Sequence, residues 1–341
     1  MPRLLFVCAT TLLTAVFKIW EQLLYGEKVR KTAVHPAPIF IIGHWRSGTT
    51  HLHNLLCKDA NFGYLSTFQA MAPGFCLIGR RAIKRFLART AQSRYPTRLI
   101  DNIPLSFDAP QEDEFALANL SPHSFIHTFS FPQQAWKLFE RAVLFDTLSP
   151  SDRSRWVAVY QAVLRKITFA SGGKRLVIKN CAHSARIKTL LELFPDAKFI
   201  HIHRNPYEVF LSTLHMHRTV LPRSQLQGIE PELVETHVLQ FYQHLMRRLL
   251  AEQSLIPADN LVEIRFEDLE ASPLAEIRRV YDDLGLPGYD TAEISFRSYI
   301  ESVADYRKNT YALDDDAIRK VNQYWSFSLD EWGYDRLEPR A

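Results

Sequence analysis

Short apolar runs bounded by turn residues recur along the chain. Ile39-Phe40-Ile41-Ile42 lies between Pro38 and Gly43 and lacks the alternation of a half-exposed strand, so it predicts a strand buried on both faces of a parallel sheet. Further strands are expected at Arg175 to Lys179, Lys198 to His203 and Leu261 to Phe266. Helical stretches separate them: Met1 to Lys31, Thr49 to Lys58, Ile187 to Phe194, Pro206 to about His217, Pro231 to Glu252, and Pro273 to Leu284 as the last regular helix. Asp108, with Pro110 and the acids of Pro110-Gln-Glu-Asp-Glu-Phe115, reads as a helix start, and 133–170 as mainly helical up to a turn at Ser171-Gly172-Gly173. Strands alternating with helices predict an α/β fold, a parallel sheet flanked by helices with right-handed crossovers. The stretch 60–170 breaks the alternation. It is expected to be a largely helical insertion acting as a lid or substrate region, with a basic helical piece from Arg80 to Arg89, on a single 1–341 domain opened by an N-terminal helix (1–35).

Composition narrows this picture. With 341 residues, 47% apolar and 23% charged, the chain is neither disordered nor low in complexity. The 41 Lys and Arg against 37 Asp and Glu give a net charge of +4, too balanced for a nucleic-acid binder but compatible with one local basic site for a small anion. Cys8, Cys57, Cys76 and Cys181 form no CxxC pair and read as reduced thiols, which favours a cytoplasmic location. Leu4 to Phe17 is apolar but shorter than a ~20-residue span, and Lys18 and Glu21 interrupt its continuation. It reads as an amphipathic helix packed on the domain, or as a short anchor or interfacial helix making a peripheral membrane contact.

The strongest local signal is Gly43-His44-Trp45-Arg46-Ser47-Gly48-Thr49-Thr50, between an apolar strand and a helix. Two glycines let the backbone curl so that successive N–H groups face an anion at the positive end of the helix. The lysine that a nucleotide triphosphatase carries directly after the second glycine is Thr49 here, and Arg46 is the loop's only cation, so a ligand with one 5′-phosphate and a transferable group suits it better. Arg204 ends the third long strand, and Ser212 lies about two turns along the helix after it. The two could meet on one anion at the strand's C-terminal end, where ligands bind in open α/β sheets. Lys179 ends the second strand, facing either the cleft or solvent.

Together these residues resemble the sulfotransferases that use 3′-phosphoadenosine 5′-phosphosulfate, especially the bacterial sulfotransferase-like families and the tyrosylprotein sulfotransferases, which carry an Arg-Ser-Gly-Thr-Thr loop. The resemblance covers Pro38 to about Leu56, Arg175 to about Ser212, and Leu261 to Pro287. It implies a P-loop-type sheet and sulfuryl transfer to a hydroxyl or amine, leaving 3′-phosphoadenosine 5′-phosphate, without a metal. It implies that Arg46, Ser47, Gly48, Thr49 and Thr50 bind the 5′-phosphosulfate. Arg204 and Ser212 would bind the 3′-phosphate, and Lys179 the bridging oxygen or sulfuryl group. His51 becomes a neighbour of the adenine. Phe266, in Arg265-Phe-Glu-Asp-Leu269, stands where many members have Tyr, and Arg307 and Lys308 resemble the basic C-terminal loop over the 3′-phosphate, although a solvated basic turn fits them nearly as well. A kinase-like P-loop phosphotransferase and a non-catalytic nucleotide-binding protein stand as alternatives.

An acceptor hydroxyl needs a base, and the family patterns leave it open. The Lys-x-His of cytosolic enzymes would fall on Cys181, and the stretch where tyrosylprotein enzymes carry a glutamate has no acid. Glu112, then Glu114, then His183 are the candidates. The acids could equally complement a helix dipole, and His183 could simply be a histidine at a helix start. The acceptor is read as a small or lipid-like molecule held by the aromatic-rich 60–170 stretch, whose Phe residues could instead be that region's own core.

Overall fold

The computed structural model describes residues 2–79, 84–85, 89, 100 and 106–340, with side chains from residue 11 onward except 13. The predicted basic piece Arg80–Arg89 falls largely outside them. The described chain is an α/β structure. Strands β1 (Ile39–Ile42), β2 (Phe62–Gly63), β3 (Arg175–Lys179), β4 (Lys198–His203) and β5 (Leu261–Arg265) form one parallel sheet in the order β2-β3-β1-β4-β5. β1 is buried on both faces. Phe40 and Ile42 join one core with Phe199 and Ile178, and Ile39 and Ile41 join the opposite core with Leu52, Val262 and Ile277. That two-sided burial explains why its sequence is continuously apolar. The neighbours of β1 are β3 and β4, so the strand order reverses at its C-terminal end, the switch point where open sheets leave a crevice.

The helices used below are α1 (Pro2–Lys31), α2 (Thr49–Leu56), α3 (Thr67–Met71), α4 (Asp113–Ala118), α5 (Pro150–Ala170), α6 (Ile187–Leu193), α7 (Pro206–Ser224), α8 (Pro231–Glu252), α9 (Phe266–Ala271), α10 (Pro273–Asp283), α11 (Tyr289–Ser302) and α12 (Asp315–Glu331). Several expectations are corrected. The helix read from Asp108 starts at Asp113, because the backbone of 107–111 is committed elsewhere: Thr67 and Phe68 N–H groups donate to Ala109 and Phe107, and Gln111 N–H donates to Leu65. Helix α7 runs to Ser224, past His217, since Leu214 and Leu221 keep its buried face apolar. The fourth long strand stops at Arg265, and Phe266 opens α9. Pro273–Asp283 is followed by two more helices, of which α12 carries a plain signal: Asp314 caps Ala317 N–H, and Ile318, Val321, Trp325 and Leu329 bury one stripe.

The described part of 60–170 begins with β2 and is otherwise largely helical. Several of its described aromatics are core. Phe125, Phe139, Trp156 and Tyr160 pack in the same cluster as Phe40, and Phe68 and Phe107 form a small cluster with Cys76.

Candidate active site

The loop after β1 is shaped by steric necessity at its glycines. Gly43 has φ 140°, and a Cβ there would sit 2.2 Å from the Ile202 carbonyl oxygen. Gly48 has φ 94°, and a Cβ there would sit 2.1 Å from the Phe266 ring. Between them Arg46 is held at φ 71°, the left-handed region that costs an ordinary residue on the order of 1 kcal/mol or more. The loop is fastened from behind. Gly43 N–H donates to Ser184 Oγ at 2.8 Å, the Trp45 ring stacks on Phe125 with centroids 4.2 Å apart, and His44, packed 4.7 Å from the Tyr242 ring, is pushed down to about 3 by burial and stays neutral. Ser47, expected among the phosphate-binding side chains, turns its hydroxyl inward to the carbonyls of His44 (2.7 Å) and Ile202 (3.1 Å). It tethers the loop to β4. Thr49 and Thr50 open α2, whose first N–H groups have no partner within the helix and face the loop.

One side of the loop is completed by β3. Lys179, 4% exposed at that strand's end, donates to Thr50 Oγ1 at 3.3 Å and to the Glu112 carboxylate. Glu112, the N-cap residue of α4, thus lies beside the phosphate loop although 67 residues separate it from Lys179. Glu114 and His183 do not join them. The Glu114 carboxylate accepts from Arg186 Nη1 (2.9 Å), Asn180 Nδ2 (2.8 Å) and Phe125 N–H (2.8 Å). Burial alone would raise its pKa; the Arg186 charge and these donors outweigh burial and hold it down at about 2. His183 is fully buried, its Nε2 3.0 Å from both Asp113 Oδ2 and Tyr160 OH. Both are corrected from candidate bases to members of a buried network. Asp113, Asn180, Arg186 and Tyr160, the other members, went unread in the sequence, where the only hint was charge in stretches flanked by apolar residues. Cys181, in the place of the cytosolic enzymes' histidine, has its thiol 3.7 Å from Thr49 Oγ1 and pushed up to about 12 by burial, so it stays protonated.

The second anion site lies on the other side of the loop and differs in its pairing from the expectation. Ser212 accepts from Arg46 Nε at 3.0 Å, whereas Arg204 donates to the Arg46 carbonyl at 3.4 Å and pairs with Glu208 at 3.2 Å. Arg204 and Ser212 therefore meet through Arg46. The Arg204 guanidinium also lies 4.6 Å over the Phe266 ring, and Lys308 Nζ lies 5.7 Å from the same ring while pairing with Glu270 at 2.6 Å. Tyr311 OH, which the sequence did not single out, reaches 3.5 Å from Ser212 Oγ. Arg307 is exposed on the same stretch. His51, mostly buried with its pKa lowered by desolvation, packs 6.2 Å from the Tyr299 ring. Arg46, Lys179, Arg204 and Lys308 thus gather around the loop and the start of α2, where Lys179, Arg204 and Lys308 are each paired with a carboxylate.

The profile described as "Sulfotransferase family" matches residues 38–291. The omega-hydroxy-beta-dihydromenaquinone-9 sulfotransferase Stf3 of Mycobacterium bovis is 33% identical over 328 residues, covering 94% of this chain and 81% of that protein. Among solved structures, the sulfotransferase STF9 from Mycobacterium avium superposes with a TM-score of 0.72 at 20% identity, covering 95% of this chain and 83% of the other. STF1 from Mycobacterium tuberculosis gives 0.69 at 19% identity, covering 91% and 81%. Both structures share the fold.

Proposed function

Since the chain belongs to the sulfotransferase family and is a sulfuryl-transfer enzyme, we propose that it takes the group from 3′-phosphoadenosine 5′-phosphosulfate and passes it to the hydroxyl of a lipid-like acceptor. Neither a kinase-like reaction nor a non-catalytic role is favoured by that membership. The observation that carries the reading is the Lys179 ammonium placed between the Glu112 carboxylate and the Thr50 hydroxyl, at the mouth of the loop. The donor supplies an activated sulfuryl group on a phosphate leaving group. The loop's N–H groups, with Arg46, Gly48, Thr49 and Thr50, hold the 5′ end. Arg204, Ser212 and Lys308, with Arg307 beside them, hold the 3′-phosphate, and His51 and Phe266 flank the adenine.

The base is Glu112. Its carboxylate takes the acceptor's proton as the new O–S bond forms and the bond to the leaving phosphate breaks. Lys179 and Arg46 offset the charge that grows on that phosphate. Lys179 serves both partners: drawn toward the departing phosphate, it releases Glu112 to accept the proton.

The apolar body of the acceptor rests on the relative whose name specifies a hydroxylated menaquinone derivative. A peripheral membrane contact at the cytoplasmic face fits it. Helix α1 exposes Leu12, Val16, Ile19, Trp20 and Leu23 and carries Lys28, Arg30 and Lys31 in its last turn, and no described helix is long and apolar enough to cross a membrane. The test is transfer of radiolabelled sulfate from the donor nucleotide to a panel of alcohols. Arg46→Ala should lose roughly 10²–10³ in turnover, the scale of removing one donor to a developing anion. No labelled alcohol, or full turnover in that variant, overturns the reading.

A further inference from the structure

Among the described residues, a cavity of about 460 Å³ lies apart from the phosphate loop, between α1, α5 and the segment 65–77. Its size falls within the roughly 300–1,000 Å³ range of small-molecule sites. We propose that it takes the hydrocarbon chain of the acceptor, a long-chain or isoprenoid alcohol whose hydroxyl then lies at Glu112. This deepens, and rests on, the reading of the site as a sulfotransferase acting on an alcohol.

The lining argues for a ligand with an apolar body: Val29, Leu65, Leu120, Val163 and Ile167 supply hydrocarbon, and the cations Lys18, Arg30 and Arg165 of the same lining carry their charge at the ends of long apolar stems. The buried carboxylate in the wall asks for no ligand. Glu21, 2% exposed, accepts from Lys166 Nζ at 2.6 Å and from the N–H groups of Leu77 (2.6 Å) and Ile78 (3.2 Å), and Lys166 donates again to the Pro73 carbonyl at 2.7 Å. An ion pair satisfied in this way holds α1 against α5 and does not itself recruit a charged head.

The cavity is also joined to the reacting end through its wall. Leu65 lines it, and the Leu65 carbonyl accepts the Gln111 N–H at 2.8 Å, while Ser66 bridges Pro110. Gln111 immediately precedes Glu112. The cavity's wall at Leu65 is thus bonded to the residue before the proposed base, and a chain that leaves the cavity past this bridge arrives at the turn that carries the carboxylate.

The test uses the full chain and two readouts. The first is the KM for a homologous series of primary alcohols running from a few to about twenty carbons; it should fall by roughly threefold per added methylene until the cavity is full. Ala162→Trp, which places an indole in the cavity from an exposed helical position of α5, should raise KM for the long alcohols tenfold or more and leave kcat/KM for the shortest unchanged; Val159→Trp provides a second blocking variant should the first fold poorly. The second readout is binding of a dansyl-labelled long-chain alcohol without donor, which both variants should weaken by the same factor. A length dependence and dansyl affinity identical in wild type and in folded variants overturn the proposal. Dansyl binding that Ala162→Trp abolishes, with no sulfate transferred to any alcohol, supports the cavity and overturns the enzymatic reading instead.

Discussion

Glu112 and Glu114 leave the same turn for opposite fates. Glu112 ends 8% exposed with its carboxylate on the Lys179 ammonium, and the phosphate loop's Thr50 lies on that ammonium's other side. Glu114 ends 1% exposed inside a lattice of fixed donors from Arg186, Asn180 and the Phe125 backbone. A carboxylate that accepts from rigid donors on all sides is locked ionised and cannot take a proton near neutral pH. A carboxylate facing one lysine can be released when that lysine finds another anion. The network positions the Glu112–Lys179 pair: Asp113, Glu114, Asn180, Arg186 and His183 pin the first turn of α4 to the end of β3, and the N-cap residue is thereby carried to Lys179.

The sharpest way to break this contrast is Glu112→Gln. The amide keeps the shape but cannot accept the proton, so turnover should fall by roughly 10²–10⁴, the range for removing a positioned base. kcat and kcat/KM should fall together, because the lost interaction belongs to the transition state. Affinity for adenosine 3′,5′-bisphosphate, measured by titration calorimetry, should stay within about twofold, and Glu112→Asp should restore part of the rate. A Glu112→Gln enzyme that turns over normally would leave the site without its base.

Glu114→Gln should act first on stability. Removing one member of a buried, hydrogen-bonded ion pair strands Arg186 and costs roughly 3–5 kcal/mol, read as a lower midpoint in urea or heat; because the same network carries Glu112 to Lys179, turnover of the folded protein should fall too, but by less than in Glu112→Gln. The acid dependence has a definite sign. Because the folded Glu114 carboxyl lies at about 2, below the ~4.3 of an unfolded chain, its contribution is full above the higher value. It is lost as pH falls from there through the lower one. Wild type should therefore lose stability across that window more steeply than Glu114→Gln. Parallel acid profiles would show that the Arg186 pair does not hold α4.

Whether these fates could be read in advance depends on how local their causes are. The sheet was legible because β1 and the middle of β3 are continuous apolar runs and β4 has an apolar run broken only by His201, and the bounds read for them match those observed. The loop was legible because two glycines, an arginine and two threonines occur together at a strand end. Which of Glu112 and Glu114 faces Lys179 was not legible: both sit in one acidic turn, and only the tertiary placement of Asn180, Arg186 and Phe125 separates them. The inward turn of Ser47 was hidden for the same reason, since its acceptor, the Ile202 carbonyl, lies 155 residues away. The two-residue β2 is too short to show any period, whereas α12 had a legible stripe that strand-and-loop reasoning passed over.

The smallest expected effect lies at the other end of the cleft and tests whether the two ends differ in kind. The Phe266 ring closes on Gly48 and carries the Arg204 guanidinium at 4.6 Å on its face. Such a cation–π contact contributes roughly 0.5–2 kcal/mol. In the proposed reading that cation binds the 3′-phosphate, which does not react, so the contact is expected equally in ground and transition states. Phe266→Leu keeps a branched apolar body behind Gly48 and removes the aromatic face. The dissociation constant for adenosine 3′,5′-bisphosphate should rise by about 2- to 30-fold, with kcat unchanged once donor is saturating, the mark of lost uniform binding. Adenosine 5′-phosphate, which lacks the 3′ group, should lose less affinity in the variant, only what the ring gives to the adenine. If the variant lowers kcat instead, the ring acts on the loop that holds the reacting end, through its contact with Gly48, and the two ends of the cleft are one mechanical unit rather than a chemical end and a gripping end.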